Sequence, residues 1–347
     1  MTRRVSPFRS LISRRRGPFL IVPYLGYGTP GKLALCGRVL RDPGISPAGS
    51  AQSRWRNLVE FYKRLESDEV PGARVRARFQ HIETEVVTDG EGYFSLELTP
   101  AYDAEAGVWH DVDLELVHPA AGVRVTGKVL VPPASARFGV ISDIDDTVIV
   151  SGVTRKPSML LRLALSNART RKPFKGVAAF YEGLHAGANP FFYVSKSPWN
   201  LYEPLVEFLE RQRLPVGPLL LRDYGRQMIL ACGQNHKVVQ IERILATYPQ
   251  LKFILIGDSG EHDPEIYSEV VRSHPDRVRA IYIRSVQLKA SRVAAIERLI
   301  EEVAPTGCQL VLAPDSEFAA AHAAAEGLMR ASQLRAVHSD KTLDERV

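Results

Sequence analysis

Cysteine is scarce in this chain of 347 residues, which has only Cys36, Cys232 and Cys308. Three widely separated cysteines give no disulfide framework, and the sequence has neither a Cys-x-x-Cys motif nor a histidine pair at zinc spacing. We interpret the three residues as thiols in a reducing compartment. The expected location is therefore the cytoplasm.

Long apolar runs are also missing. No run approaches the roughly 18 apolar residues that a membrane span needs. The first residues are rich in arginine, but the apolar segment of a signal peptide does not follow them. We therefore interpret residues 1–20 as a flexible basic arm. The rest of the composition, with 45% hydrophobic and 24% charged residues, is typical of a globular protein.

The chain has no excess of acidic residues, and its formal net charge is +6. A positive balance favours an anionic partner, either phospholipid or nucleic acid, although a mildly basic protein without such a partner remains an alternative. Bases interleaved with aromatic residues, which single-stranded nucleic-acid sites use for stacking, are not found. Nucleic acid is therefore the less favoured partner.

The sequence pattern changes near residue 136 and predicts two domains. Between 21 and 135, short alternating strands with Gly/Pro turns predict a small antiparallel β-sandwich-like domain, with a helical insertion at 51–67. The predicted strands are Lys32–Leu40, Ala73–Phe79, Ile82–Thr88, Tyr93–Leu98, Asp111–His118 and Arg124–Val131.

From 136 to 331, apolar strands alternate with amphipathic helices, which predicts an α/β domain with a parallel sheet and helices on both faces. Residues 332–347 are interpreted as a frayed polar tail. The predicted strands are Phe138–Ser142, Asn189–Ser195, Gly217–Leu221, Phe253–Gly257, Val278–Ile283 and Gln309–Ala313. The predicted helices are Gly176–Ala186, Leu201–Arg211, Lys237–Thr247, Pro264–His274, Ser291–Val303 and Phe318–Leu328.

The first of these strands ends in the acidic motif Asp143-x-Asp145-x-Thr147. Ligands of open α/β sheets bind at the carboxyl ends of the strands, and clustered carboxylates need a cation, so we expect Mg²⁺ beside them. A calcium loop is excluded, because the positions that require Gly and Glu hold Val148 and Thr154. A plain acidic turn remains an alternative.

Three further motifs follow predicted strands or open predicted helices. Ser195 ends a strand, Lys237 begins a helix, and Asp258 and Asp263 flank a glycine-containing loop after another strand. Each is weak alone, because a serine before a helix is usually an N-cap and a lysine at a helix start is usually solvated. All four motifs would lie on one edge of one sheet.

As a set, the motifs of residues 138–285 resemble the haloacid dehalogenase superfamily of phosphotransferases, whose fold includes a Rossmann-like parallel sheet. More closely, they resemble the catalytic domain of the actin-patch phosphatidate phosphatases and their bacterial relatives. The stretch Tyr24–Pro30 is similar to the bacterial members. The matching segments are Ile144–Thr147, Tyr193–Ser195, Ser197–Tyr202, Leu221–Asp223 and Ile256–Tyr267.

The resemblance implies a Mg²⁺-dependent phosphomonoesterase that forms an aspartyl phosphate, with release of diacylglycerol from phosphatidate as the expected reaction. Asp143 would attack phosphorus, and Asp145 would protonate the leaving alcohol and later activate water. Thr147 would orient that pair, Ser195 would hydrogen-bond the phosphoryl group, and Lys237 would stabilise the charged intermediate.

The same resemblance implies that Mg²⁺ is held by Asp143, the carbonyl of Asp145 and Asp258, with Asp263 in support. Lys196 stands where family members tend to carry a small polar residue, and it would either contact phosphate or compete with Lys237. Asp146 is interpreted as a turn residue. The expected substrate contacts are Ser195, Lys196, Arg155 and Arg222.

An insertion over residues 148–188, where this superfamily carries its cap, contains an apolar helix flanked by bases. A basic amphipathic segment suits a membrane-surface substrate and peripheral contact with the inner membrane surface, although a helix packed on the core fits equally well. Two alternative functions remain: a nucleic-acid end phosphatase, and a non-catalytic membrane-associated interaction protein.

Overall fold

The structure is a computed structural model that describes residues 18–41, 68–144, 147–148, 175–222, 235–286 and 289–346. Several predicted features lie outside these ranges: the basic arm up to residue 17, the helical insertion at 51–67, Cys232, and residues 149–174 of the predicted cap insertion. Within the described ranges, no helix combines the length and the apolar character needed to cross a membrane.

The first half of the chain forms one nine-stranded sheet, with strand order β1-β3-β2-β9-β8-β5-β6 and with β4 and β7 also paired to β3. The core of this sheet is formed by strands in which apolar and polar residues alternate. In β5, for example, Val75 and Ala77 are buried and the arginines on either side of them are not. The strands are β1 (Phe19–Pro23), β2 (Gly26–Thr29), β3 (Lys32–Arg41), β4 (Asp68–Glu69), β5 (Arg74–Phe79), β6 (Ile82–Val87), β7 (Tyr93–Leu98), β8 (Val108–His118) and β9 (Val123–Val131).

This sheet departs from the antiparallel prediction at one strand. The strand β2 runs parallel to β9, while the other described pairs in the sheet are antiparallel. Its sequence, Gly-Tyr-Gly-Thr, has no apolar alternation and therefore gave no strand signal. Glycine is needed here, because a Cβ on Gly26 would lie 2.2 Å from the carbonyl oxygen of Ala34.

The second half forms a six-stranded sheet whose described neighbours are all parallel. Its order, β12-β11-β10-β13-β14-β15, is 3-2-1-4-5-6 in chain order. In sheets of this order, ligands bind at the carboxyl ends of the strands where the order reverses, which here is beside β10. The strands are β10 (Gly139–Ser142), β11 (Phe191–Pro198), β12 (Leu219–Arg222), β13 (Phe253–Asp258), β14 (Val278–Arg284) and β15 (Gln309–Ala313).

Helices cover both faces of the parallel sheet, as predicted. Val140 and Ile254 point into a core shared with α1, α2, α6 and α7, whereas Ile141 and Leu255 point into a core shared with α3, α4 and α5. The helices are α1 (Val177–His185), α2 (Tyr202–Arg211), α3 (His236–Thr247), α4 (Asp263–Ser273), α5 (Ala290–Val303), α6 (Ser316–Ala325) and α7 (Leu334–Arg346).

Three sequence interpretations are corrected by the structure. The segment interpreted as a frayed tail forms α7, because Val337 is fully buried in the core and Lys341 pairs with Asp315 and Glu317. The basic arm was extended two residues too far, since β1 begins at Phe19. Helix α1, which was included in the insertion, packs into the core through Phe180, so any cap lies before it.

Candidate active site

Asp143 follows β10 directly, at the centre of the parallel sheet. Both neighbours of this strand are parallel strands, and the amide of Asp143 donates to the carbonyl of Ile256 on β13 at 2.8 Å. The Ser142 hydroxyl lies 2.7 Å from the Asp143 carbonyl and 2.7 Å from the Tyr181 hydroxyl. These bonds fix the backbone of Asp143. Its side chain lies at the edge of the sheet where the strands end, and the residue is only 1% exposed.

Lys237 lies in the first turn of α3, where the Asn235 side chain caps the helix by accepting from the Lys237 amide. Its Nζ is 2.9 Å from Asp143 Oδ1, 2.6 Å from Asp263 Oδ1 and 3.3 Å from Glu261 Oε2. Burial alone would lower the pKa of Lys237, because it disfavours the charged ammonium. The negative charges of Asp143 and Asp263 have the larger effect and hold this pKa well above its usual value. The lysine is therefore a fixed cation.

Asp258 ends β13, and Asp263 begins α4 after a short loop. Asp258 Oδ1 accepts from the amides of Gly260 and Glu261 at 2.6 and 2.9 Å, and Asp263 Oδ2 accepts from the Asp258 amide at 3.3 Å. A Cβ on Gly257 would lie 2.5 Å from Asp263 Oδ2, so the glycine permits this close approach. Burial, and then the charge of Asp263, raise the pKa of Asp258 to about 7.

The three aspartates fit a divalent cation. Asp143, Asp258 and Asp263 are buried, and each has an oxygen within 4.8 Å of those of the other two. Among the described residues, Asp258 Oδ2 is buried and has no hydrogen-bond partner, which is costly for a carboxylate without a cation. Glu261 is a fourth carboxylate beside these three aspartates, and the cluster contains two lysines, Lys196 and Lys237. When all six groups are ionised, the cluster therefore has a net charge of −2, which a divalent cation would neutralise.

A second group of polar residues extends from the end of β11. The Ser195 hydroxyl accepts from the Ser197 amide at 2.9 Å, and Lys196 Nζ lies 2.8 Å from Glu261 Oε2. Glu261 therefore joins Lys196 to Lys237 through one carboxylate oxygen. Burial opposes its ionisation, but Lys237 and then Lys196 outweigh burial and hold the pKa of Glu261 below its usual value.

The other predicted site residues are placed less centrally. Thr147 Oγ1 lies 3.5 Å from Asp143 Oδ2, at the outer limit for a hydrogen bond. Arg222 ends β12, two strands away from β10, where it pairs in register with Pro198. Asp145, Asp146 and Arg155 lie outside the described residues.

Two residues of this region were not assigned a role from the sequence. Glu261 lies between Asp258 and Asp263, in the loop that the sequence had already marked. Its position between these two acids was the only sequence feature that could have indicated a role. Arg292, on α5, donates to the carbonyls of Ser259 and Glu261 at 3.0 and 2.7 Å and binds the Glu265 carboxylate with two nitrogens. No local pattern marks Arg292, because its partners lie about 30 residues earlier in the chain.

A parallel sheet with a buried acid cluster beside a fixed lysine defines an α/β domain with a candidate metal-dependent active site. Comparison with known proteins identifies its family: residues 138–285 match the family described as "Phosphatidate phosphatase APP1, catalytic domain". This segment belongs to that family of phosphatase catalytic domains, as its motifs predicted.

Two curated relatives match beyond this segment. Phosphatidate phosphatase APP1 of Saccharomyces cerevisiae is 36% identical over 171 residues, which cover 48% of this chain and 29% of the yeast protein. An uncharacterized protein of Schizosaccharomyces pombe is 28% identical over 244 residues, which cover 67% of this chain and 40% of that protein. The chain thus spans less than half the length of these relatives.

Solved structures add no functional argument. A carbohydrate acetylesterase from Xanthomonas citri aligns over 82% of this chain and 75% of its own, at 12% identity and a TM-score of 0.29. A likeness this slight supports no assignment.

Proposed function

We propose that this protein is a Mg²⁺-dependent phosphomonoesterase that acts through an aspartyl phosphate, with phosphatidate as its substrate and diacylglycerol as a product. The observation that carries the proposal is the buried Asp143 carboxylate, placed at the switch point of the sheet beside Lys237 and two further aspartates. The strand order and the helices on both faces support a haloacid dehalogenase type of fold for this domain.

The proposed chemistry has two displacements at phosphorus. An Asp143 oxygen bonds to phosphorus while the bond from phosphorus to the lipid oxygen breaks, and Asp145 gives its proton to the departing oxygen. Asp145 then takes a proton from water, whose oxygen attacks the same phosphorus and frees the Asp143 carboxylate. The role of Asp145 rests on the family resemblance.

The remaining residues would hold the phosphoryl group. Lys237 is fixed as a cation beside Asp143, so its charge is already in place when negative charge develops on the phosphoryl oxygens. Ser195 would donate to a phosphoryl oxygen, and Thr147 would orient Asp143 and Asp145. Lys196, Arg155 and Arg222 would add contacts with the substrate.

The proposed metal ligands are Asp143, the Asp145 carbonyl and Asp258, with Asp263 supporting them. A hard cation with oxygen ligands suits this donor set, and the ion would neutralise phosphoryl charge when bound. The buried Asp258 Oδ2, which has no hydrogen-bond partner among the described residues, is the structural feature that favours a cation here.

We also propose the domain organisation predicted from the sequence, with the arm shortened so that it ends before β1. The further units are a β-sandwich-like domain up to residue 135 with a helical insertion, a phosphatase domain at 136–331 with a cap insertion, and a final segment at 332–347. Each sheet has its own core, with Tyr24 of the first half entering that of the parallel sheet, and this supports the main division. The final segment packs on the phosphatase domain as α7. The scarcity of cysteine supports a cytoplasmic location, and the proposed lipid substrate supports peripheral contact with the inner membrane surface.

Phosphate release from phosphatidate in mixed micelles tests the proposal, with Mg²⁺ or EDTA, for the unaltered protein and Asp143→Asn. Asp111→Asn, a change in an exposed aspartate of β8, is the matched control. We expect Mg²⁺-dependent release that only Asp143→Asn abolishes.

The substrate assignment is tested in the same assay with a small phosphomonoester and a 5′-phosphorylated oligonucleotide. Asp143-dependent release from the small ester alone would keep the chemistry and reject the lipid. Preference for the oligonucleotide would favour the end-phosphatase alternative, and no release from any of the three would favour a non-catalytic interaction protein.

A further inference from the structure

The strand end that carries Ser195 and Lys196 is not fixed by sheet pairing alone. The register between β11 and β12 holds at Val194 and resumes only at Pro198, with an irregularity between them. The intervening residues therefore leave the regular ladder where they reach the candidate site. Their position is set by side-chain contacts, such as that of Lys196 with Glu261, and also by what anchors the chain immediately after them.

That anchor is the nine-stranded sheet. The Tyr24 ring, between β1 and β2, stacks on Trp199 with a centroid distance of 4.4 Å and an interplanar angle of 16°, and it also lies 4.4 Å from the Tyr202 ring. The Tyr202 hydroxyl accepts from the Leu25 amide at 2.7 Å. Tyr24 is buried in the core of the parallel-sheet domain, so the two sheets are packed together at this point.

A buried arginine strengthens the contact. Arg38 on β3 is 4% exposed, and its guanidinium donates to Asn200 Oδ1 at 3.0 Å, to Glu69 Oε1 at 2.9 Å and to the Glu91 carbonyl at 2.9 Å. It also lies 4.4 Å from the Tyr93 ring centroid. Loss of an acceptor from a buried guanidinium is costly, so these three acceptors fix the Arg38 side chain in place. The fixed Arg38 in turn holds Asn200.

We propose that the nine-stranded sheet positions the phosphate-binding strand end of the active site, with Arg38 as a positioning residue that acts through Asn200. Asn200 lies four residues after Lys196 and five after Ser195. The segment Ser197–Tyr202, which the proposed chemistry leaves without a role, is thereby a docking element for the sheet. This inference rests on the proposed function, because it takes Ser195 and Lys196 as phosphate contacts.

The physical reason is that phosphate binding depends on sub-ångström placement of donors. Displacement of a binding group by about 1 Å can cost roughly a hundredfold in rate. Release of Asn200 would let the irregular strand end shift and would weaken phosphate binding, while the loop after β13 keeps the contacts of Asp258 and Arg292 with its backbone.

Binding of inorganic phosphate in the presence of Mg²⁺, measured by calorimetry on the full chain, tests the inference without turnover. The variants are Arg38→Met, Asn200→Ala and their combination. The control is Arg41→Met on the same strand, whose guanidinium packs over the Phe19 ring. We expect both single variants to raise the Kd for phosphate roughly tenfold, the double variant to add little more, and the control to change it less than about twofold.

A lower melting temperature with an unchanged phosphate Kd would overturn the inference, because the contact would then only hold the sheets together. Additive effects of the two changes would also overturn it, since Arg38 would not act through Asn200. Absence of phosphate binding to the unaltered protein would overturn it as well.

If Arg38→Met does not fold, the test rests on Asn200→Ala, which changes a half-buried residue. Loss of Asp143-dependent hydrolysis is a separate result that bears on the proposed function alone.

Discussion

Asp143 and Lys237 form an ion pair of 2.9 Å in which the side chains are at most 1% exposed. The lysine also contacts Asp263, so one ammonium group serves two buried carboxylates. Each charge in such a group depends on the others, because water cannot replace a missing partner. The pair therefore links the stability of the domain to the arrangement of its candidate active site.

Replacement of Lys237 by methionine should destabilise the metal-free protein strongly. Removing one partner of a buried ion pair typically costs about 3–5 kcal/mol, since the remaining charges are left uncompensated. Urea unfolding in EDTA measures the loss. Lys32→Met, which breaks an exposed pair with Glu97, is the control and should cost less than about 1 kcal/mol. A loss for Lys237→Met no larger than the control would show that the buried acids do not need this cation.

Asp258→Asn should change metal-free and metal-bound stability in opposite directions. Its folded pKa of about 7 lies above the ordinary 3.8, so the folded state binds the extra proton between these values, and the contribution of Asp258 to stability is lost as pH rises from about 3.8 through 7. At pH 8 in EDTA, the neutral asparagine should raise the melting temperature. The increase in melting temperature that Mg²⁺ gives the unaltered protein should be lost. A variant that still gains stability from Mg²⁺ would remove Asp258 from the proposed ligands.

Arg292→Met should weaken Mg²⁺ binding without touching a proposed ligand. Arg292 holds the carbonyls of Ser259 and Glu261, so its loss frees the loop that carries Asp258. Loss of a residue that orients metal ligands typically lowers affinity roughly ten- to hundredfold. The Mg²⁺ concentration that gives half of the thermal stabilisation should rise by that factor.

Arg298→Met is the matched control for this loop, because Arg298 lies on the same helix and bonds only to the Ala294 carbonyl among the contacts described for it. It should leave the Mg²⁺ dependence unchanged. Equal shifts in the two variants would mean that α5 acts on the loop through its general stability and not through the Arg292 contacts.

The sequence predicted the parallel sheet well, because its strands are apolar runs between amphipathic helices. The proximity of Asp143 and Asp258 follows from the same pattern: Asp143 directly follows β10, Asp258 ends β13, and these two buried strands are neighbours. The catalytic and ligand roles of these residues remain predictions.

Other features could not be predicted because they depend on distant partners. Arg292 meets the loop after β13 only through tertiary packing, and Arg38 meets Asn200 across 162 positions of sequence. The helix at the end of the chain was missed for a related reason: apolar residues such as Leu334 and Val337 are few in this polar stretch, and the core against which they pack is assembled by α1 and α6.

His236 predicts a pH dependence of stability that does not involve the metal. It precedes Lys237 on α3, and burial and then the charge of Arg222 lower its pKa from 6.5 to about 4. Between these values the unfolded state binds the extra proton, so the contribution of His236 to stability should fall as pH decreases from about 6.5 to 4. Relative to the unaltered protein, His236→Gln should therefore gain free energy of unfolding as pH decreases over this range, measured by urea unfolding in EDTA. Arg222→Met should move the His236 pKa upward in an NMR titration, because one cause of the lowering is removed. A His236 signal that titrates near 6.5 in the unaltered protein would contradict the prediction.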